Sequence, residues 1–218
     1  MAKKNKNYYN SSMYDEAIRS VRTNIQFSGV DKENKIISVT STKPAEGKST
    51  VLYNLAKSFA ENGDKVILLD CDLRNPSIDE IAGVNFNLGI TNYLTGKADI
   101  NDVIIKDREQ SNLDLVLTGP IPPNPSEMLA SKIFANLIKN LAETYDYVFL
   151  DTPPVGLFTD ASIVSTLSDG MIYVVKSSDT KREEIAQALE NLKRVDANIL
   201  GMVLTHAHLK KSKYRNYY

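Results

Sequence analysis

Residues 36–50 of this chain read Ile-Ile-Ser-Val-Thr-Ser-Thr-Lys-Pro-Ala-Glu-Gly-Lys-Ser-Thr, and this stretch decides the fold. The apolar, β-branched run at residues 36–39 predicts a buried strand, and residues 51–60 predict a helix. Between them, residues 42–49 have the spacing of a phosphate-binding P-loop, with Thr42 where the common pattern has its first glycine. An ordinary strand-to-helix turn is the alternative, but the flanking strand and helix favour the P-loop.

A P-loop binds polyphosphate mainly through its backbone. Successive N–H groups and the N-terminus of the following helix supply fixed donors and a positive dipole end. Lys48 is expected to reach the β- and γ-phosphates, and the Ser49 hydroxyl to hold Mg²⁺. Lys43 stands where the deviant Walker ATPases have a second lysine, although a solvated loop lysine is an equally good interpretation. The predicted nucleotide-binding residues are Lys43, Ala45, Glu46, Gly47, Lys48, Ser49 and Thr50.

Carboxylates follow two further apolar stretches that read as buried strands. Asp70 and Asp72 come after residues 66–69, and Asp151 ends the stretch 145–151 as a Walker B segment does. Buried parallel strands deliver such groups to one edge of a sheet, where ligands bind. Two adjacent acids repel each other and favour a cation such as Mg²⁺, although a helix cap and a loop acid are the alternative. The predicted catalytic residues are Lys48, Asp70, Asp72 and Asp151, and the predicted metal ligands are Ser49, Asp70, Asp72 and Asp151.

Strands alternate with helices along the chain, which predicts an α/β fold with a doubly wound, mostly parallel sheet. This is the architecture of the P-loop NTPases. One domain is expected over residues 12–205, between a flexible segment at 1–11 and a flexible basic tail at 206–218. Residues 77–112 read as short helices and loops. Further strands are predicted at 113–117, 171–175 and 199–204, and further helices at 126–144, 160–167 and 181–195.

A helix is predicted over residues 12–27, opened by a capping box at Ser12. At 100° per residue its apolar side chains form one face, while Glu16, Arg19 and Arg22 share the opposite face. An acid and two bases pointing outward could meet another subunit, which makes them candidate oligomer contacts. A solvated face with a local Glu16–Arg19 pair is the alternative.

Composition and charge exclude several classes of protein. The 218 residues suffice for one α/β domain with a sizeable core, and no apolar run approaches the length of a membrane span. One cysteine, Cys71, excludes an intrachain disulfide. No signal peptide is visible, so a cytoplasmic protein is expected.

The two ends of the chain are basic. They carry seven lysines and arginines and no acid, so the body holds all 27 acids against 19 bases, a net charge of −8. Solvated ends are one interpretation, and proximity to an anionic membrane surface or to the acidic body is the other. Three of the 11 tyrosines, Tyr214, Tyr217 and Tyr218, lie in the last five residues, where no core can form. They are candidate modification targets, with chance as the alternative.

Taken together, these motifs resemble the bacterial tyrosine kinases (BY-kinases), in the cytoplasmic-chain form of the CpsD/CapB type from capsule and exopolysaccharide operons. The resemblance covers nearly the whole chain. The P-loop and the carboxylates are shared with deviant Walker ATPases of the MinD/ParA type, whereas the outward helix face and the tyrosine tail distinguish the kinases. The matching features are Glu16-x-x-Arg19-x-x-Arg22, Gly47-Lys48-Ser49-Thr50, Asp70-Cys-Asp72-Leu-Arg74, the proline loop from Gly119 to Glu127, Leu150-Asp151-Thr-Pro-Pro154, and the tail tyrosines.

The resemblance implies an ATP- and Mg²⁺-dependent kinase that forms a ring and phosphorylates the tyrosine tail of its neighbour. It implies Glu16, Arg19 and Arg22 at the ring contact, with Tyr214, Tyr217 and Tyr218 as phosphoacceptors. Partners implied are a membrane activator with a cytoplasmic tail, which recruits the kinase to the inner face of the membrane, and a cognate tyrosine phosphatase. No nucleic-acid partner is expected.

The chemistry expected of such a site is proton removal from an incoming tyrosine by Asp70 or Asp72. Asp70 is favoured because it is nearer the strand end, but the residues alone do not separate the two. A MinD/ParA-like partitioning or positioning ATPase is the alternative function, and an ATP-responsive scaffold is a third. Neither gives a reason for the tyrosine tail.

Overall fold

The computed structural model describes residues 2–29, 34–177 and 179–207, with side chains from Met13 onward. The tail tyrosines at 214, 217 and 218 therefore lie outside the described residues. Within the described part of the chain, no helix is long and apolar enough to cross a bilayer.

In the described part of the chain, seven strands form one sheet with the order β3-β4-β2-β5-β1-β6-β7. Every neighbouring pair is parallel except β3 and β4, which are antiparallel. The strands are β1 (Ile36–Ser41), β2 (Val66–Asp70), β3 (Ile104–Lys106), β4 (Leu113–Val116), β5 (Tyr147–Asp151), β6 (Gly170–Lys176) and β7 (Ile199–Thr205). The predicted parallel sheet is confirmed.

Helices cover both faces of the sheet, as expected when the central strands are apolar on both sides. They are α1 (Ala2–Ser28), α2 (Lys48–Glu61), α3 (Ile78–Ala82), α4 (Ile90–Leu94), α5 (Ile100–Val103), α6 (Pro125–Leu129), α7 (Lys132–Thr144), α8 (Asp160–Ser165) and α9 (Arg182–Lys193). On one face, α1 and α2 pack over a core that includes Leu52, Phe59 and Phe149. On the other, α7 and α8 cover Leu69 and Leu150, and α9 covers Tyr173. The sheet is doubly wound.

The largest differences from the sequence prediction concern α1, the pair α6 and α7, and β3. Helix α1 already begins at Ala2, so the capping-box signal at Ser12 lies inside a helix and residues 2–11 are not an irregular segment. The single helix predicted over 126–144 is two helices, because the Ser131 hydroxyl accepts the Phe134 N–H and starts α7 anew. Strand β3 was missed because three residues give too short a pattern to recognise.

Candidate active site

The P-loop joins the end of β1 to the start of α2 at the carboxyl edge of the sheet. Its backbone enters the left-handed region at Ala45 (φ 59°) and at Gly47 (φ 87°). At Gly47 this conformation favours glycine, because residues that carry a Cβ atom rarely adopt it. Helix α2 then starts at Lys48, so its free N–H groups face the loop. The predicted strand–loop–helix geometry is present.

Thr42 replaces the first glycine of the common pattern without strain. Its hydroxyl lies 2.8 Å from the Tyr173 hydroxyl, and its N–H donates to Glu46 Oε2 at 2.7 Å. Its carbonyl oxygen packs so tightly on Gly156 that a Cβ atom there would approach it to 2.3 Å. Thr42 has no positive φ, so glycine is not required at this position.

Lys48 lies at the centre of a set of oxygen atoms. Its Nζ is 3.0 Å from Asp72 Oδ2, 3.4 Å from Asp151 Oδ1 and 3.1 Å from Ser49 Oγ. Burial disfavours the charged amine, but the attraction of Asp151 and Asp72 outweighs it and raises the pKa of Lys48. The lysine is therefore a cation held by two buried carboxylates.

Asp70 and Asp151 are register partners on the adjacent strands β2 and β5, which brings the two acids together. The Asp70 carboxylate accepts backbone N–H groups from Asp72 at 3.1 Å, Ser77 at 3.0 Å and Ile78 at 3.1 Å. Complete burial and the nearby Asp151 charge nevertheless raise the pKa of Asp70 to about 7. Burial also raises the pKa of Asp151, with Lys48 opposing it.

The oxygen atoms around Lys48 fit a hard divalent cation. Ser49, Asp72 and Asp151 offer only oxygen donors, and the lysine ammonium already occupies the centre of that set. Mg²⁺ prefers one or two carboxylates together with phosphate oxygens and water. Among the described residues no cluster of three or more carboxylate, histidine or cysteine groups is arranged to hold a metal by itself. Water and nucleotide phosphates would complete the coordination of a cation held by these oxygen atoms.

Arg74 forms a clamp that the sequence did not predict. Its Nε and Nη2 donate to the two carboxylate oxygens of Asp160 at 2.7 and 3.2 Å, and Nη2 also donates to Ser126 Oγ at 3.0 Å. The guanidinium lies 4.3 Å from the centre of the Phe158 ring. Arg74 thus ties the loop after β2, which carries Asp72, to the start of α8 and to α6. Arg74 was visible within the Asp70-Cys-Asp72-Leu-Arg74 motif, but no local signal pointed to its partners.

The side chains of Lys43 and Arg22 have partners that the sequence did not predict. Lys43 Nζ pairs with Glu184 of α9 at 2.7 Å, so its ammonium is engaged by that helix. Arg22 does not point outward as predicted, because its guanidinium donates to the Ser58 carbonyl and, at 3.1 Å, to the Ser58 hydroxyl. Glu16 and Arg19 are exposed and form a local pair at 3.2 Å.

The class of protein follows from this geometry. A phosphate loop after a central parallel strand, with carboxylates on the neighbouring strands, defines a P-loop nucleotide-binding domain of the deviant Walker type. Residues 34–203 match the family model described as an AAA domain. The structure also resembles the septum site-determining protein MinD of Pyrococcus horikoshii, solved with Mg-ADP. The TM-score is 0.66 at 27% identity, covering 78% of this chain and 69% of that one.

Two further similarities identify the family within that class. The tyrosine-protein kinase YwqD of Bacillus subtilis is 38% identical over 207 residues, which is 95% of this chain and 87% of that protein. The crystal structure of the chimerical protein CapA2B2 is similar with a TM-score of 0.82 and 38% identity, covering 86% of this chain and 82% of that one. This chain belongs to the bacterial tyrosine kinases. The family and fold predicted from the sequence are confirmed.

Proposed function

We propose that this chain transfers the γ-phosphoryl group of Mg·ATP to tyrosine hydroxyls, and that its acceptors are Tyr214, Tyr217 and Tyr218 of a neighbouring copy. Such transfer within a ring would regulate the synthesis of capsular or extracellular polysaccharide. The observation that carries the proposal is the cation site around Lys48, which lies at the end of a phosphate loop in a member of the tyrosine kinase family.

Lys48 neutralises the β- and γ-phosphates once the nucleotide is bound. Bound phosphate oxygens would compete with Asp72 and Asp151 for its ammonium. Ser49, Asp72 and Asp151 would hold Mg²⁺, and the ion would offset the charge that develops on the transferred phosphoryl group. The amides of Ala45, Glu46, Gly47, Lys48, Ser49 and Thr50 supply fixed donors, and Lys43 assists after leaving Glu184.

Asp70 is proposed as the base that accepts the proton of the incoming tyrosine. Its Oδ1 accepts one N–H group and its Oδ2 accepts two, so Oδ1 keeps a lone pair for the phenol. Asp72 is instead engaged by Lys48 and by the N–H of Asn75 at 3.0 Å, which suits a metal ligand.

Assembly and location belong to the same proposal. Glu16 and Arg19 are free to meet a neighbouring subunit because both are exposed, whereas Arg22 must first leave Ser58. A membrane activator with a cytoplasmic tail would recruit this cytoplasmic chain to the inner face of the membrane, where the basic ends meet anionic lipid. A cognate phosphatase would reverse the modification. No nucleic acid takes part.

The alternative is a partitioning ATPase like MinD, which transfers phosphate to water. The similarity to the CapA2B2 chimera, at a TM-score of 0.82, favours the kinase over MinD at 0.66. A partitioning ATPase gives no reason for the tyrosine cluster.

One experiment separates the functions. The full chain is incubated with Mg·ATP and a peptide of the activator's cytoplasmic tail, and phosphotyrosine and released phosphate are measured together. A kinase gives phosphotyrosine that is lost in Lys48→Met and when Tyr214, Tyr217 and Tyr218 are all changed to Phe. Lys139→Met, which removes an exposed lysine on α7, is the matched control and keeps the signal. Phosphate release without phosphotyrosine would establish an ATPase, and neither product would establish a scaffold.

A further inference from the structure

Glu46 is an acid inside a loop that binds anions, and its side chain is buried with only 1% exposed. A negative charge at this position repels a polyphosphate unless donors on the protein neutralise it. Its carboxylate does not point into solvent or lie free in the loop. Oε2 accepts the N–H groups of Thr42 at 2.7 Å and Lys43 at 2.9 Å. The acid therefore closes the first half of the loop on itself.

The other carboxylate oxygen reaches the last residue of β6 and the segment that follows this strand. Glu46 Oε1 accepts the Lys176 N–H at 3.2 Å and the Thr180 hydroxyl. All four donors are thus used by one side chain. The ion pair between Lys43 and Glu184 adds a second link between the loop and the start of α9.

The Glu46 backbone carries a third connection, to the root of the C-terminal tail. Its carbonyl oxygen accepts the Thr205 hydroxyl at 2.7 Å, and Thr205 is the last residue of β7. The Thr205 carbonyl in turn accepts the Ser177 N–H at 2.9 Å. The P-loop, the segment after β6 and the tail root are therefore one hydrogen-bonded unit with Glu46 at its centre.

We infer that Glu46 is a positioning residue that holds the P-loop in its phosphate-binding shape and couples nucleotide binding to the tail root at Thr205. The inference rests on the proposed function only in taking the P-loop as the nucleotide site. Coupling between two sites is reciprocal. Nucleotide binding therefore stabilises the hydrogen bonds at Thr205 by the same free energy by which those hydrogen bonds strengthen nucleotide binding. The segment that carries the acceptor tyrosines is thereby linked to the state of its own nucleotide site.

The test measures Mg·ADP binding by calorimetry and amide hydrogen exchange with and without Mg·ADP, on the full chain. In the unaltered chain, Mg·ADP should slow exchange at Lys176, Ser177 and Thr205 as well as in the P-loop. Glu46→Gln keeps the shape but replaces one acceptor oxygen with a donor, so it should raise Kd about tenfold. At saturating Mg·ADP, the slowing in this variant should be confined to the P-loop.

Three further variants sharpen the result. Glu183→Gln removes an exposed acid from the first turn of α9 and should leave Kd unchanged. Glu46→Asp keeps the carboxylate on a shorter side chain and should bind Mg·ADP more tightly than Glu46→Gln but less tightly than the unaltered chain. This variant replaces Glu46→Gln in the test if Glu46→Gln does not fold. Thr205→Val should raise Kd about threefold and abolish the slowing at Thr205 alone, because it removes one hydroxyl.

Two outcomes overturn the inference. One is a Glu46→Gln variant that binds Mg·ADP as the unaltered chain does, and the other is slowing confined to the P-loop in the unaltered chain. Both leave the proposed function intact. Failure of the unaltered chain to bind Mg·ADP would reject the proposed function and the coupling together.

Discussion

The carboxyl edge of the sheet and the outward face of α1 are built in opposite ways. Lys48, Asp72 and Asp151 are 8%, 3% and 0% exposed, and each contacts another member of the site. The Glu16 and Arg19 side chains are 65% and 54% exposed and contact each other. One chain therefore assembles a nucleotide site by itself, whereas the surface proposed to bring in the acceptor needs a second copy to acquire a function. The predictions below separate these two contributions.

The largest effect is expected from Lys48→Met. Phosphotyrosine formation should fall by about 1,000-fold or more, because the charge that neutralises the transferred phosphates is lost. The same change leaves two buried carboxylates unpaired, so the melting temperature should drop without metal and recover when Mg²⁺ is added. Calorimetric melting with and without Mg²⁺ checks the second part. A melting temperature that ignores Mg²⁺ would contradict the cation site.

The next largest effect separates Asp70, at the end of β2, from Asp72, in the loop that follows. Asp70→Asn should lower kcat about 100-fold while changing the Kd for Mg·ADP by less than about threefold, because a base acts on the proton and not on nucleotide binding. Asp72→Asn should instead raise the Mg²⁺ concentration required for half-maximal activity. Rates measured over a Mg²⁺ titration distinguish the variants. The opposite pattern would assign the base to Asp72.

An intermediate effect is expected at the α1 face. Glu16→Ala and Arg19→Ala should each change the free energy of unfolding by less than about 0.5 kcal/mol, because an exposed pair stabilises a fold little. Tail phosphorylation should nevertheless fall about tenfold if these residues form the subunit contact. Asp15→Ala on the same helix is the control and should leave tail phosphorylation unchanged. Equal activity in all three variants would remove α1 from the proposed interface.

The smallest effect on activity is expected at the Arg74 clamp. Asp160→Asn should lower the free energy of unfolding by about 2 kcal/mol, because charge-assisted hydrogen bonds to a buried carboxylate are weakened. Phosphotyrosine formation should fall only a few-fold, because the loop that carries Asp72 shifts slightly while Asp72 itself is retained. Urea denaturation measures the stability change. The Ser126 hydroxyl donates to Asp160 Oδ1 at 2.5 Å, and Ser126→Ala, which removes this one donor, should cost less than half as much.

The sequence was sufficient where chemistry and local pattern coincide. The strand before the P-loop, the glycine at Gly47 and the acids Asp70, Asp72 and Asp151 are all read from short motifs, and parallel strands must bring them to one edge. The order of the strands and the antiparallel β3 were not accessible in this way. Both depend on pairing between segments far apart in the chain.

The sequence was insufficient where a polar side chain chooses a distant partner. Glu46 was predicted to act only through its backbone N–H. The partners of its side chain, Thr180 and Lys176, lie more than 100 residues away in sequence and were not predicted. The contact between Arg74 and Asp160 was not predicted for the same reason, since these residues are also far apart in sequence. Arg22 was assigned to the outward face from its helical angle, but its long side chain curves back to Ser58 on α2. Helical periodicity predicts the direction of the Cα–Cβ bond, but it does not predict the position of the charged group at the end of a long side chain.

The most direct test of the central comparison mixes two chains that are each defective in one region. One carries Lys48→Met with all three tail tyrosines, and the other, of different length through a tag, carries an intact site with Tyr214, Tyr217 and Tyr218 changed to Phe. Incubation with Mg·ATP and activator tail peptide, followed by electrophoresis and phosphotyrosine detection, should give signal on the Lys48→Met chain alone. A mixture without phosphotyrosine, while the unaltered chain phosphorylates itself, would contradict transfer from the site of one copy to the tail of another.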